Sequence, residues 1–216
     1  MACTRFCEQP GLVHVGGTKN PDVAAIRALA PDLVVLDREE NRREDYEALV
    51  AVGVACHVTD VHDVAGLADE LRALARAVGR GEPDVWSPPP PPPVSHRAFV
   101  PIWRRPWMSI SEDTYGGALL RCCGVELVTA TAPERYPVVE LDEVRAREPD
   151  VVLLPSEPYR FTSEHESELA VALPGVPIVR VDGQDLFWWG VGTPGAYERL
   201  RAAHTAARPG TRPPAP

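Results

Sequence analysis

The 216-residue chain has no apolar run approaching the roughly 18 residues a helix needs to cross a bilayer. It has no basic excess either. A formal net charge of −9 and a pI near 5.2 exclude the broad cationic face that nucleic-acid binding requires. The opening stretch Met1–Cys7 lacks the apolar centre of an export signal, so the sequence as written is expected in the cytoplasm. A truncated start would change that expectation to the periplasm or cell surface. Five cysteines, at positions 3, 7, 56, 122 and 123, show no zinc-like spacing and read as free, mostly buried thiols. Six histidines show no pairing at metal-ligand spacing, so no metal site is expected. The Gly16-Gly17-Thr18-Lys19 stretch lacks the spacing of a phosphate loop and reads as a tight turn. A GxSxG nucleophile elbow is absent too, and no catalytic residues are expected.

What the sequence does contain is a diverged internal repeat. VAAIRALAPDLVVL at 23–36 and LDEVRAREPDVVLL at 141–154 each read as a short helix, a proline break and a buried strand. A second helix–strand step follows in both places: 46–52 into 55–59, and 164–172 into 178–181. Short β-branched strands alternating with helices imply parallel α/β layers, and two such sets imply two similar lobes. The second set also opens with a strand over Phe99–Trp103, a helix over Thr114–Cys123 and a strand over Glu126–Thr129. The first set starts only at the equivalent of that last strand, near Cys3–Phe6. The first lobe is therefore expected to be N-terminally incomplete.

Between the lobes, Val64, Leu67, Leu71, Leu74, Ala75 and Val78 fall at helical spacing. A helix over Val64–Arg80 would span about 25 Å, enough to connect two lobes rigidly. Six consecutive prolines, Pro88–Pro93, then predict a stiff polyproline II spacer of roughly 19 Å. The expected organisation is an incomplete lobe over 1–63, a connecting helix over 64–80 and a Pro-rich linker over 81–97. A second lobe over 98–205 and a disordered tail over 206–216 complete it.

In open parallel α/β sheets, ligands meet the carboxyl ends of the strands. The segments expected there are unusual. One holds Glu39, Glu40 and Asn41, another Trp103, Arg104, Arg105 and Trp107. A third holds Glu157, Tyr159 and Phe161, and a fourth Trp188 and Trp189. Four of the five tryptophans fall in these segments, beside paired arginines, which suits the rim of a flat ligand. Trp188 and Trp189 read equally well as seals on the second-lobe core. Glu39 and Glu40 also suit a solvated helix start, and surface acids on each lobe suit docking to arginines of a membrane permease.

Taken in order, VGGTKNPD at 15–22, PDLVVLDREENR at 31–42, PIWRRPWM at 101–108, DTY at 113–115, RYP at 135–137, LPSEPYRF at 154–161 and DGQDLFWWG at 182–190 resemble the cobalamin-binding branch of the helical-backbone metal receptors. These are solute-binding proteins of ABC importers, and the resemblance covers most of residues 3–205. It implies two α/β lobes of the class III periplasmic-binding-protein type, joined by a rigid helix with the ligand between them. The expected ligand is a corrinoid such as cobalamin, a haem or a ferric siderophore, held non-covalently, and the expected partner is an ABC permease. The pocket loops of the family fall on Glu39–Asn41, Trp103–Trp107, Glu157–Phe161 and Phe187–Trp189. Three features depart from the pattern: the missing first strand, the missing export signal and the short connecting helix. The alternative reading is a cytosolic chelatase-like or corrinoid-processing enzyme on a related fold.

Overall fold

The computed structural model describes residues 11–206, with side chains to residue 203. The strand expected near Cys3–Phe6 and the tail beyond residue 206 lie outside the described residues. The chain divides into two compact units. The first comprises residues 11–60 with Asp69–Pro83, the second Val61–Ala68 with residues 84–206. Both are α/β with parallel sheets, as the repeat implied.

The first unit opens with a two-residue antiparallel hairpin, β1 (Gly16–Gly17) and β2 (Asn20–Pro21). A side chain at Gly16 would collide with the Asn20 carbonyl, which is why glycine stands there. Helix α1 (Val23–Ala28) is capped by Asp22, whose carboxylate accepts the Ala25 N–H at 2.9 Å. Strands β3 (Val34–Asp37) and β4 (Cys56–Thr59) run parallel, with α2 (Arg43–Ala51) between them in sequence. Their core is small: Val15, Ile26, Val34, Leu36 and Leu49.

The helix expected over Val64–Arg80 is shorter. It is α3 (Leu67–Ala77), and the division between the units falls inside it, after Ala68. Asp63 delays its start by accepting the Gly66 N–H at 2.6 Å in a side-chain turn. Gly79, with φ of 68°, ends it, as the Arg80 N–H reaches back to the Ala75 carbonyl at 2.8 Å.

The second unit is built on four parallel strands in the order β6–β5–β7–β8. These are β5 (His96–Phe99), β6 (Val125–Leu127), β7 (Val151–Pro155) and β8 (Ile178–Val181). Expected over Phe99–Trp103, β5 instead starts three residues earlier and stops at Phe99. The helices are α4 (Tyr115–Cys122), α5 (Leu141–Ala146), α6 (Ser163–Ala172), α7 (Gly183–Phe187) and α8 (Thr193–Ala206). On one face of the sheet, Phe99, Val152 and Leu154 pack with Val144 of α5, Leu169 of α6 and Leu173 just beyond it. By strand alternation, Ala98, Val151 and Leu153 turn to the other face. Helices α4, α7 and α8 pack on one another. All five residues of β7 are buried, the signature of a central strand covered on both faces.

The proline tract is tied to this unit rather than spanning free. Trp86 packs on Tyr197 with ring centroids 5.4 Å apart, and the Arg121 guanidinium donates to the Pro92 carbonyl at 3.0 Å.

Candidate functional site

Strand order locates the site. From β5 the chain crosses to β6 on one side, then returns past β5 to β7 and continues to β8 on the other. The direction of winding therefore reverses between β5 and β7. At such a reversal the loops leaving the two strands diverge and open a crevice at their carboxyl ends. The two loops here hold residues 100–114 and 156–162.

The first loop folds back as a tight hairpin. The Ile102 N–H donates to Met108 O at 2.9 Å, and the Met108 N–H returns a bond to Trp103 O at 3.2 Å. Residues 137–139 pin it from outside: the Val139 N–H donates to Trp107 O at 3.0 Å and the Ser109 N–H to Pro137 O at 2.9 Å. At its base, the buried Ser109 hydroxyl donates to Val100 O at 2.9 Å. Arg105 occupies the tip with φ of 73°, in the left-handed region.

The second loop brings its rings against this hairpin. Trp107 is only 6% exposed and stacks on Phe161, also buried, at 5.9 Å and 10° between planes. On that base Tyr159 tilts against Phe161 at 4.9 Å, and Trp103 meets Tyr159 edge-on at 5.1 Å. Trp103 remains 45% exposed. The four rings therefore form a ledge with Trp107 and Phe161 in the core, Tyr159 half-buried and Trp103 at the surface.

Helix α6 supports the ledge through two residues one turn apart. His165 Nδ1 accepts the Thr162 N–H at 3.0 Å, closing a capping box, while its ring meets both Tyr159 and Phe161 edge-on. Glu168 accepts two hydrogen bonds from Arg104, at 2.9 and 2.6 Å. The same guanidinium lies over the Trp107 ring, 4.9 Å from its centroid. Hydrogen bonding to Arg104 holds the Glu168 carboxyl below the ordinary carboxylate range, and Glu168 in turn raises the Arg104 guanidinium.

Glu157 sits where the second loop approaches the start of α7. Gly183 permits that approach, because a side chain there would meet the Glu157 backbone N and O, each at 2.7 Å. The Gly183 N–H donates to the Ser156 hydroxyl at 3.0 Å. Trp188 and Trp189 follow α7, the first exposed and the second half-buried.

Glu39, Glu40 and Asn41 belong to the first unit, at the carboxyl end of β3. Asn41 is a structural staple there. It accepts the Asp37 N–H at 2.9 Å and donates to the Thr18 carbonyl at 2.9 Å. Asp37 accepts the Glu39 N–H at 3.0 Å and the Thr59 hydroxyl at 2.9 Å, Lys19 donates to the Glu39 carbonyl, and Thr18 reaches Glu40 at 3.4 Å.

Of the expected site residues, the structure thus gathers Trp103, Arg104, Trp107, Tyr159 and Phe161 into one cluster, with Arg105 on the same hairpin. It uses Arg104, Trp107 and Phe161 internally, where the sequence suggested a contact surface. His165 and Glu168 lie outside the expected set, and the partner of Glu168 stands 64 residues away in sequence. Among the described residues no group of three or more His, Cys, Asp or Glu could hold a metal ion. Burial pushes the Cys123 thiol up to about 12, so it is a packing residue at neutral pH.

No protein-family model matches the chain. Among curated proteins, it is 22% identical over 179 residues to the vitamin B12-binding protein of Pectobacterium carotovorum subsp. carotovorum (strain PC1), covering 72% of this chain and 62% of that one. It is 24% identical over 155 residues to the vitamin B12-binding protein of Yersinia pestis (strain Pestoides F), covering 66% and 55%. The chain therefore spans less than two thirds of the length of these relatives.

Solved structures share its fold, among them the following three. The periplasmic vitamin B12 binding protein BtuF of Vibrio cholerae matches with a TM-score of 0.68 at 17% identity, over 91% of this chain and 82% of that one. An ABC transporter substrate-binding protein from Listeria monocytogenes EGD-e matches with 0.72 at 15%, over 93% and 88%. A periplasmic heme binding protein from Pseudomonas aeruginosa matches with 0.70 at 16%, over 93% and 81%. The fold is that of the class III periplasmic binding proteins, as the ordered motifs implied.

Proposed function

We propose that this chain is a non-enzymatic binding protein for a flat metal-chelate macrocycle, a corrinoid or a haem, serving an ABC-type importer. The observation that carries the proposal is the ledge at the winding reversal, where the exposed Trp103 and the half-buried Tyr159 stand on the buried Trp107–Phe161 stack. A half-exposed tryptophan is costly to leave in water and favourable to cover. Covering the open part of Trp103, on the order of 100 Å² of ring, contributes about 2 kcal/mol. The base beneath is fixed by packing and by the Arg104–Glu168 bridge, so little ordering cost is left to binding. The names of the relatives and structural neighbours support the same ligand class.

In this reading Trp103 and Tyr159 cover the macrocycle, with Trp188 and Trp189 as further aromatic surface. Arg104, Trp107 and Phe161 hold the ledge in shape. Glu157 and, on the first unit, Glu39 and Glu40 offer carboxylates to the arginines of a permease, and Asn41 holds the turn that carries the latter two. Tryptophan fluorescence during titration with cyanocobalamin and with haemin tests the proposal. Saturable quenching by at least one is expected, and Trp103→Ala should weaken it about tenfold or more. Linear, unsaturable quenching by both would sink it.

A further inference from the structure

We infer that the ligand of this ledge carries negative charge on its rim: a tetrapyrrole- or corrin-type chelate with peripheral carboxylates rather than one capped by neutral amides. The inference rests on the macrocycle reading above and names the ligand class more narrowly.

The argument comes from the arginines of the second unit. Arg97, Arg104, Arg135, Arg145, Arg180, Arg199 and Arg201 each face a carboxylate within 4.0 Å. Arg121 and Arg147 donate to backbone carbonyls, of Pro92 and Val128, at 3.0 and 2.9 Å. Two remain. Among the described residues, Arg105 and Arg160 make no hydrogen bond, ion pair or ring contact, and both are exposed. Both flank the surface rings of the ledge: Arg105 lies two residues beyond Trp103, and Arg160 follows Tyr159 directly.

A chain with 31 acidic against 22 basic residues has carboxylates to spare, yet among the described residues none meets these two cations. The neighbouring acids are otherwise engaged or placed. Glu168 is held by Arg104, and Glu140 adds to the field on Arg104. Glu157 has a partner of its own. Two exposed arginines, unpaired among the described residues and near in sequence to the rings of the shelf, match a flat ring with anionic substituents, since guanidinium and carboxylate pair bidentately. Screening over about 8 Å at physiological salt makes this attraction local, so the overall negative charge of the chain does not cancel it.

The test titrates the full chain, followed by tryptophan fluorescence, with three probes. These are haemin, dicyanocobyrinic acid, whose corrin rim bears carboxylates, and dicyanocobinamide, the same ring with amides. The two carboxylate-bearing probes are expected to bind at least tenfold tighter than dicyanocobinamide. The double variant Arg105→Gln, Arg160→Gln should weaken them roughly tenfold and leave dicyanocobinamide unchanged, with the thermal midpoint confirming that the variant is folded. If dicyanocobinamide binds as tightly as the acids, or the double variant changes no affinity, the charge assignment is overturned and the macrocycle reading stands. If no probe binds saturably, both fall.

Discussion

The two units solve the same problem with unequal means. The second unit sets β7 between two parallel neighbours and covers both of its faces, so that no residue of that strand reaches solvent. The first unit, among the described residues, has β3–β4 as its one parallel pair. One face of that pair packs Val34 and Leu36 against Ile26 and Leu49, while Val35 on the other face is 45% exposed. The first unit compensates with polar links at the strand ends. The Thr59 hydroxyl bridges to the Leu36 carbonyl and the Asp37 carboxylate, and Asn41 ties the β1–β2 hairpin to the same turn. Such links are directional but individually weak, each worth about 1 kcal/mol net. Apolar burial grows with area and accumulates faster. The ledge stands on the better-buried unit, where its rings can be held to a fixed shape.

Hydrogen exchange should expose the largest difference. Amides of β7 are expected to be protected about a thousandfold more than those of β3 and β4, roughly 4 kcal/mol of local stability. Equal protection would erase the contrast. A smaller effect, confined to one side, should come from Gly183→Ala. The added methyl meets the Glu157 backbone and the Glu157 Cγ, so we expect a loss of about 2 kcal/mol in chemical denaturation with β3–β4 protection unchanged. If β3 and β4 deprotect equally, the units are not independent.

Smallest is Glu168→Gln, expected to cost about 1 kcal/mol because the bridge to Arg104 is partly open to solvent. The pH dependence has a definite sign. The folded-state pKa of Glu168 is depressed, so its contribution is complete above the ordinary carboxylate range and disappears as pH falls through the lower folded value. The variant and the parent should therefore converge in stability on acidification. A gap that persists in acid would assign the loss to packing.

Much of the fold was legible because apolar runs and proline breaks report local preferences. Pro31 and Pro149 separate helix from strand in both units, as read. Boundaries failed where a distant or side-chain interaction decided them. The apolar run Phe99–Ile102 does not continue as β5, because Ile102 pairs across the hairpin with Met108. Val64 does not begin α3, because the Asp63 side chain claims the Gly66 N–H first. The aromatic members of the candidate site were visible as residue types at strand ends. Their division into buried base and exposed surface was not, since it depends on Glu168 of α6 holding Arg104 from 64 positions away. Nor could the sequence tell which of Arg104, Arg105 and Arg160 is neutralised.

Arg105 carries one more consequence, an evolutionary one. It holds a backbone conformation that an ordinary side chain adopts at a cost, whereas glycine, asparagine and aspartate adopt it readily. Replacement at this tip by asparagine or aspartate relaxes the backbone while deleting or reversing the charge offered to the ligand. Elsewhere in a protein, a change of specificity usually draws on stability. Here the two gradients run the same way for loss of the cation and oppose each other for its retention. An arginine that persists at this tip across related chains would therefore record selection for the ligand, and its drift to asparagine would be an early sign that the ligand had changed.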